Sequence, residues 1–119
     1  MFRDSLKKMI DRLDPSSDAA GVLMGFDGIP VDSYVRPGAA DAPTISVELT
    51  HLIAQLRRSL ASIGTGQLSD LTLKTDRLAV LVEILSDGYF LALALAPGAN
   101  LGKARYLLRT VAPEVRAQM

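Results

Sequence analysis

The sequence predicts an α+β fold, in which one domain contains a five-stranded, mainly antiparallel sheet with helices on both faces. Apolar residues recur at helical spacing at the start, in the middle and at the end of the chain. Between these segments lie five short apolar segments bounded by turn residues, which is typical of strands joined by hairpins. The last two are apolar on both sides, so helices are expected on both faces of the sheet.

Size and composition limit the function. The 119 residues suit a single domain over residues 1–119. Thirteen basic and 13 acidic residues give zero net charge, which argues against a general nucleic-acid binder. The absence of cysteine excludes disulfides and thiolate metal sites. The N-terminus is charged and amphipathic, and no apolar run reaches the roughly 18 residues of a membrane span, so a cytoplasmic location is expected.

The first helix is predicted from the spacing of Phe2, Leu6, Met9, Ile10 and Leu13. Asp14-Pro15 ends this helix, because a residue that precedes proline avoids the helical region.

A hairpin is predicted over residues 19–35, with the sequence AAGVLMGFDGIPVDSYV. Its centre is Asp27-Gly28, a pair that favours a two-residue type I′ turn. Pro30 lacks a backbone donor, so the second strand is expected at an edge of the sheet.

A long helix is predicted to begin at Thr44 or Ser46, after a loop over residues 36–43. Gly64 is suited to the position just past its C-terminus. An apolar stripe is expected to face the sheet, and it comprises Leu49, Leu52, Ile53, Leu56, Leu60 and Ile63.

Three strands are predicted next, over Gln67–Thr75, Leu78–Leu85 and Tyr89–Ala96. In the last of them leucine alternates with alanine, and a face of alanines favours close approach by a helix. A final helix is predicted from about Asn100, and Pro113 is expected to kink or fray its last turn.

The segment LALALAPGANLGKARYLL has the strand, glycine loop, lysine and helix of a nucleotide-binding P-loop. Pro97 stands where the first glycine is required, and Ala104 replaces the hydroxyl residue that binds Mg²⁺. The sequence therefore predicts a helix entry with Lys103 exposed, and no nucleotide site.

No convincing catalytic set is present. His51 is the single histidine, and there is no G-x-S-x-G motif. Asp27, Asp32 and Asp41 are interpreted as turn and loop residues. We therefore expect no enzyme, no cofactor and no metal.

The long helix carries a second stripe, which suggests contact with another helix or a tolerant exposed face. It comprises Val47, His51, Ala54, Arg58 and Ala61. Two groups of arginines, Arg57-Arg58 and a ridge of Arg105, Arg109 and Arg116, are either solvated or contact an acidic or phosphate-bearing partner.

Three segments together resemble the Roadblock family of dynein light-chain-type domains. They are GVLMGFDGIPVDSY, VELTHLIAQLRRSLASIGTGQL and GYFLALALAPGANLGKARYLLRTVAPEV. The family often has an alanine pair where this sequence has Thr50-His51.

The resemblance implies a profilin-like architecture, with the first and last helices on one face and the middle helix on the other. Leu101-Gly102 would be the family's Leu-Gly, with the glycine letting the helix start close to the sheet. The implied function is a homodimeric, non-enzymatic regulator or adaptor of a small Ras-like GTPase in bacterial gliding and cell polarity.

Two alternatives remain: a structural scaffold of a motility or cytoskeletal complex that does not alter a GTPase, and a small-molecule sensor with an apolar cavity under its helices. The expected dimer interface comprises Val47, His51, Ala54, Ala61, Leu68, Asp70 and Thr72. The expected GTPase-binding residues are His51, Arg57 and Arg58.

Overall fold

The structure, a computed structural model, describes residues 2–15, 18–39 and 42–119. The described residues form α1 (Phe2–Asp11), β1 (Ala19–Gly25), β2 (Pro30–Val35), α2 (Ala42–Ser62), β3 (Asp70–Lys74), β4 (Ala79–Ile84), β5 (Tyr89–Leu95) and α3 (Leu101–Ala117). The strands form one antiparallel sheet in the order β2-β1-β5-β4-β3. Helices α1 and α3 pack on one face and α2 on the other, which confirms the predicted fold class.

The two faces of the sheet form separate apolar cores because side chains alternate along each strand. On the central strand β5, Leu91 and Leu93 face α1 and α3, whereas Phe90, Ala92 and Ala94 belong to the core beneath α2. The Leu-Ala alternation therefore corresponds to two different helix layers. A fully buried leucine contributes about 2 kcal/mol, so β5 is held from both sides.

The predicted hairpin is confirmed, but its predicted turn type is wrong. A type I′ turn requires a positive φ at both central residues. Gly28 has a φ of 86°, but no described non-glycine residue, Asp27 included, has a positive φ. The Gly28 N–H donates to the Gly25 carbonyl, and the Gly25 N–H donates to the Ile29 carbonyl. The loop therefore has three residues, a type I turn followed by a left-handed glycine.

Strand β2 lies at one edge of the sheet, as Pro30 predicts. The Arg36 N–H donates to the Ala19 carbonyl, and this pairing directs the backbone of Ser33 away from β1. The Ser33 N–H donates instead to Asp32 Oδ1, at 2.9 Å. This edge is therefore blunted by a missing donor and by a donor that is already used.

The long helix α2 begins at Ala42, inside the predicted loop over residues 36–43, of which residues 40 and 41 lie outside the described part of the chain. Its end is as predicted, with Gly64 in the left-handed region at a φ of 70°. The Gly64 N–H donates to the Ala61 carbonyl and the next N–H donates to the Leu60 carbonyl, which is the Schellman pattern.

Only part of the predicted stripe on α2 faces the sheet. Leu49 and Ile53 are buried, but Leu52 is 49% exposed and Ile63 is 69% exposed. Neighbouring helical positions differ by about 100°, so Leu52 lies away from the sheet, and Ile63 follows the last helical residue. Thr50 is buried instead, and its hydroxyl donates to a backbone carbonyl one turn earlier, at 2.8 Å.

The other predicted boundaries need two corrections. Strand β3 is shorter than the predicted Gln67–Thr75, whereas β4 and β5 agree with their predictions to within one residue at each end. Helix α3 continues through Pro113 to Ala117, so the expected fraying is absent from this described helix. Buried side chains on both sides of Pro113, including Val115, hold the last turn against the sheet.

Candidate functional site

Helix α2 covers only part of its face of the sheet. It contacts β1, β2 and β5, but among the described residues no Cα atom of α2 lies within 8 Å of β3 or β4. The side chains on this uncovered part are apolar and partly buried: Leu68, Leu71, Leu73, Leu78 and Ile84. We call these five residues the open strip.

A groove of about 380 Å³ lies between the C-terminal half of α2 and the open strip. Its lining includes Ala61 and Leu68, so two of the residues predicted at the dimer interface lie together. Arg57 from α2 and Ser86 and Asp87 from the β4–β5 turn also line it. The groove is therefore a mixed surface with apolar and polar sides.

The second stripe on α2 is divided between the domain's own core and solvent. Val47 and Ala54 are half-buried, and Val47 packs against the core beneath α2. His51, Arg58 and Ala61 are exposed or partly exposed.

Strand β3 is the second edge of the sheet, and it pairs only with β4. The Thr75 N–H donates to the Leu78 carbonyl, and the Ile84 N–H donates to the Ser69 carbonyl. In an antiparallel ladder these bonds place odd-numbered residues of β3 in hydrogen-bonded pairs with β4. The backbone groups of the even-numbered residues, which include Thr72, therefore point to the open edge.

The side chains of Asp70 and Thr72 lie on the α3 side of this edge. Arg105 donates to the Thr72 hydroxyl at 3.2 Å, and Arg109 lies 4.0 Å from a carboxylate oxygen of Asp70. Both predicted interface residues are thus tethered to α3 beside the open edge.

Glu83 lies directly opposite Asp70 in the ladder between β3 and β4. Burial raises the pKa of Glu83, and the Asp70 carboxylate raises it further, while Arg109 and Arg116 act in the opposite direction. The ladder between β3 and β4 therefore carries a pair of carboxylates that are unfavourable to each other when both are charged.

Arg57 is held inside the domain. Its guanidinium lies 4.3 Å from the centre of the Phe26 ring, donates to the Asp87 carbonyl at 3.3 Å and lies 3.5 Å from the Asp87 carboxylate. Arg58 points outward and donates to Gln55 Oε1 at 2.8 Å. By sequence alone the two arginines form one group. In the structure, Arg57 alone joins α2 to two turns.

Sequence reasoning missed Phe26 and Asp87 as partners of Arg57. Both residues lie in turns, Phe26 directly after a glycine and Asp87 directly before one. Nothing in the neighbouring sequence indicates that either contacts a helix. The contact arises because these turns lie at one end of the sheet, near the C-terminal half of α2.

The P-loop-like segment contains a conventional helix start. Asn100 caps α3, and its Oδ1 accepts the Lys103 N–H at 3.1 Å. Lys103 is exposed, as predicted. A Cβ on Gly102 would meet only Asn100 Oδ1, at 3.5 Å, so close approach to the sheet does not explain this glycine.

The architecture and the similarity to solved structures define a class of protein: the chain belongs to the Roadblock/LC7 family. It is 34% identical to MglC from Myxococcus xanthus, with 99% of this chain and 98% of that chain covered and a TM-score of 0.71. No protein-family sequence model and no curated protein sequence matches the chain.

More distant structures share the fold. A Roadblock/LC7 domain from Streptomyces avermitilis has 17% identity, coverage of 96% of this chain and 93% of that chain, and a TM-score of 0.81. The gliding protein MglB from Thermus thermophilus has 14% identity, coverage of 92% and 81%, and a TM-score of 0.77.

Across the described ranges, no helix is both long enough and apolar enough to cross a bilayer. The same ranges contain no group of three or more histidine, aspartate or glutamate side chains arranged to hold a metal ion.

Arg57→Ala should lower the free energy of unfolding by about 1–2 kcal/mol, because it removes the stacking on Phe26 and the hydrogen bonds to Asp87. Arg58→Ala, the matched control on the same helix, should change it by less than about 0.5 kcal/mol. Urea unfolding at constant protein concentration measures both. Equal effects of the two variants would contradict the tethering role of Arg57.

Glu83→Gln should raise the free energy of unfolding at neutral pH by about 0.5 kcal/mol, because it removes the charge facing Asp70. A raised pKa means that folded Glu83 binds its proton more tightly than the unfolded chain does. Protonation of Glu83 therefore stabilises the folded state at a pH below the ordinary pKa of glutamate. This stabilisation is lost as the pH rises through the pKa of Glu83 in the folded protein. The gain from Glu83→Gln should thus disappear in acid, whereas the exposed control Glu114→Gln should show no such gain.

Proposed function

We propose that the chain is a homodimeric, non-enzymatic regulator or adaptor that binds a small Ras-like GTPase in bacterial gliding and cell polarity. The open strip carries this proposal, since an apolar sheet face without its own helix suits the helix of a second copy. The 34% identity to MglC and the shared fold of the gliding protein MglB support the link to gliding.

The open edge of β3 is self-complementary. Its sequence, Asp-Leu-Thr-Leu-Lys over residues 70–74, pairs with a second copy in antiparallel register about Thr72. Asp70 then faces the partner subunit's Lys74, and Leu71 faces the partner subunit's Leu73. Thr72 lies on the two-fold axis, and its outward N–H and C=O pair with the same groups of the other copy.

This register also completes the uncovered face. The leucines at positions 71 and 73 lie on the α2 side, so pairing of two β3 strands joins both open strips into one apolar surface. The two α2 helices can then pack over it, with Ala54 and Ala61 allowing close approach. Val47, His51 and Leu68 complete the proposed interface.

Asp70→Lys and Lys74→Asp should each weaken the dimer by about tenfold or more, because each variant places like charges opposite each other twice. The double variant Asp70→Lys/Lys74→Asp should return to within about threefold of the parent, since it restores opposite charges in the same register. Sedimentation equilibrium measures the three dissociation constants.

If the double variant did not recover the dissociation constant of the parent, the register centred on Thr72 would be wrong. Dimers with another geometry would not be excluded by that result. Ala61→Glu tests the helical part, because it would bury a carboxylate without a partner. A parent protein that is monomeric at micromolar concentration would overturn the dimer itself.

The proposed GTPase surface is the outer side of the paired α2 helices. Leu52 supplies an exposed apolar side chain there, and His51 and Arg58 lie beside it at helical spacing. Arg57 was expected in this set, but its guanidinium is engaged with Phe26 and Asp87. We assign it an indirect part, since it fixes α2 against the sheet.

Binding should favour the GTP state, because switch loops order around the γ-phosphate and a partner acts only through differential affinity. Any acceleration of hydrolysis should come from repositioning of the GTPase's own groups. Arg58 lies on a rigid helix and no projecting loop presents it, so an arginine finger is not expected.

Leu52→Ala and Arg58→Ala should weaken binding to the GTP-locked GTPase while leaving the saturated hydrolysis rate within about tenfold of the parent. Removal of an arginine finger would cost about 10³-fold in that rate. Lys103→Gln, at an exposed position on the opposite face of the sheet, is the control for charge. If Arg58→Ala lowered the saturated hydrolysis rate by about 10³-fold while binding stayed intact, the mechanism would be overturned.

The alternative is a scaffold that joins a motility complex without acting on a GTPase. Such a scaffold would still dimerise. It would bind the GTP-locked and the GDP-locked GTPase with equal affinity, or would bind neither form. The small-molecule sensor needs an apolar cavity beneath the helices, whereas the groove between α2 and the open strip is lined in part by Arg57, Ser86 and Asp87.

A further inference from the structure

The charges of this neutral chain are divided unevenly between the helical layer on one face of the sheet and the rest of the chain. The helical layer formed by α1, the residue after it and α3 holds eight of the 13 basic residues and three of the 13 acidic residues. Its formal charge is therefore +5 and that of the rest is −5. The basic residues are Arg3, Lys7, Lys8, Arg12, Lys103, Arg105, Arg109 and Arg116.

Within the described ranges, three of these eight cations form ion pairs, namely Lys7, Lys8 and Arg109. On α1, Lys7 pairs with Asp11 at 2.7 Å, and Lys8 approaches Glu114 at 3.4 Å. Arg116 donates to two backbone carbonyls at the end of β4, and the Glu83 carboxylate offsets part of its charge.

The carboxylates of the underlying edge offset part of the field near Arg109, through Asp70 and Glu83. Arg12 and Lys103 are exposed on the same layer. The exposed cations Lys7, Lys8 and Arg12 of the α1 side and Lys103 of α3 therefore make this outer surface basic, whereas the three arginines of α3 reach toward the β3–β4 edge.

The shape of this surface does not suit a protein partner that needs an apolar anchor. The seam between α1 and α3 forms a groove of only about 130 Å³, and its apolar lining of Met9, Leu107 and Val111 is at most 5% exposed. A stable protein interface has an apolar core into which anchor side chains insert. The exposed apolar group at the centre of α3 is Tyr106, which is 61% exposed.

We propose that the outer face of α1 and α3 binds peripherally to an anionic membrane surface, a bilayer that contains acidic phospholipids. Flexible lysines and arginines need no fixed pocket for such a partner, and each contributes roughly fivefold to binding near the surface. A tyrosine among them suits the headgroup region, where its ring and hydroxyl meet different environments. The opposite face, with α2, is then directed toward the interior.

This inference does not depend on the proposed GTPase, because both helices belong to each copy of the chain. Dimerisation about β3 would place two basic layers on the same side of one extended sheet. It would therefore strengthen binding by avidity.

Co-sedimentation with phosphatidylcholine vesicles, with and without phosphatidylglycerol, tests the proposal on the full chain. Binding should require phosphatidylglycerol and weaken strongly at about 1 M salt, where charges are screened within about 3 Å. Arg12→Gln/Lys103→Gln should lower the binding constant by about 25-fold, from roughly fivefold per charge. Arg77→Glu changes the total charge by the same two units at an exposed position in the β3–β4 turn, outside α1 and α3, and should leave binding within about twofold.

Equal losses from the two variants would mean that net charge alone matters, which would overturn the assignment to this face. Binding to neutral vesicles, or no binding at low salt, would overturn the membrane proposal. A duplex DNA fragment and a polyglutamate peptide serve as competing polyanions, and preference for either would reassign the basic face. Light scattering on the same samples reports the dimer separately.

Discussion

The width of a helix sets the main constraint on this fold. An α-helix is about 10 Å across, whereas neighbouring strands are about 4.8 Å apart. One helix therefore covers about two to three strands, and a five-stranded sheet needs two helices on each face. The α1–α3 pair meets this requirement on one side. On the other side α2 stands alone, and in the described part of the chain it approaches neither β3 nor β4, so the open strip stays partly exposed although Val80 and Val82 of β4 are buried.

The position of α2 within its face follows from contacts at its C-terminal half. Arg57 connects it to the turn that contains Phe26 and to the turn that contains Asp87, and both turns lie at the same end of the sheet. With the helix held there, the gap falls on the side of the open strip. The groove beside Ala61 is thus a consequence of where α2 is tethered, as much as of how many helices the chain has.

Much of the fold could be predicted from the sequence, because it depends on local periodicity and on glycine and proline at strand and helix ends. The edge position of β2 follows from Pro30, and the end of α2 follows from Gly64. The turn type did not follow from Asp27-Gly28, since the same pair suits a three-residue loop in which only the glycine has a positive φ.

The candidate site was less predictable, because its features depend on contacts between segments distant in the chain. Apolar character alone could not separate Leu52, which faces solvent, from Ile53, which is buried. Adjacent arginines gave no sign that Arg57 would stack on Phe26 while Arg58 stayed outside that contact. The uncovered part of the sheet is a matter of strand order, which periodicity does not specify.

The two edges of the sheet differ in a way that limits the size of an assembly. At β2, proline removes one donor and Asp32 occupies the Ser33 N–H, so a further strand finds few free groups. At β3, by contrast, the backbone N–H and C=O groups of the even-numbered residues point to the open edge and are available to a further strand. A subunit with a single usable edge can extend its sheet once, and a two-fold pair joined through β3 then ends at two blunted β2 edges. Growth into fibres through strand addition is therefore blocked by the same few atoms that end the sheet at β2.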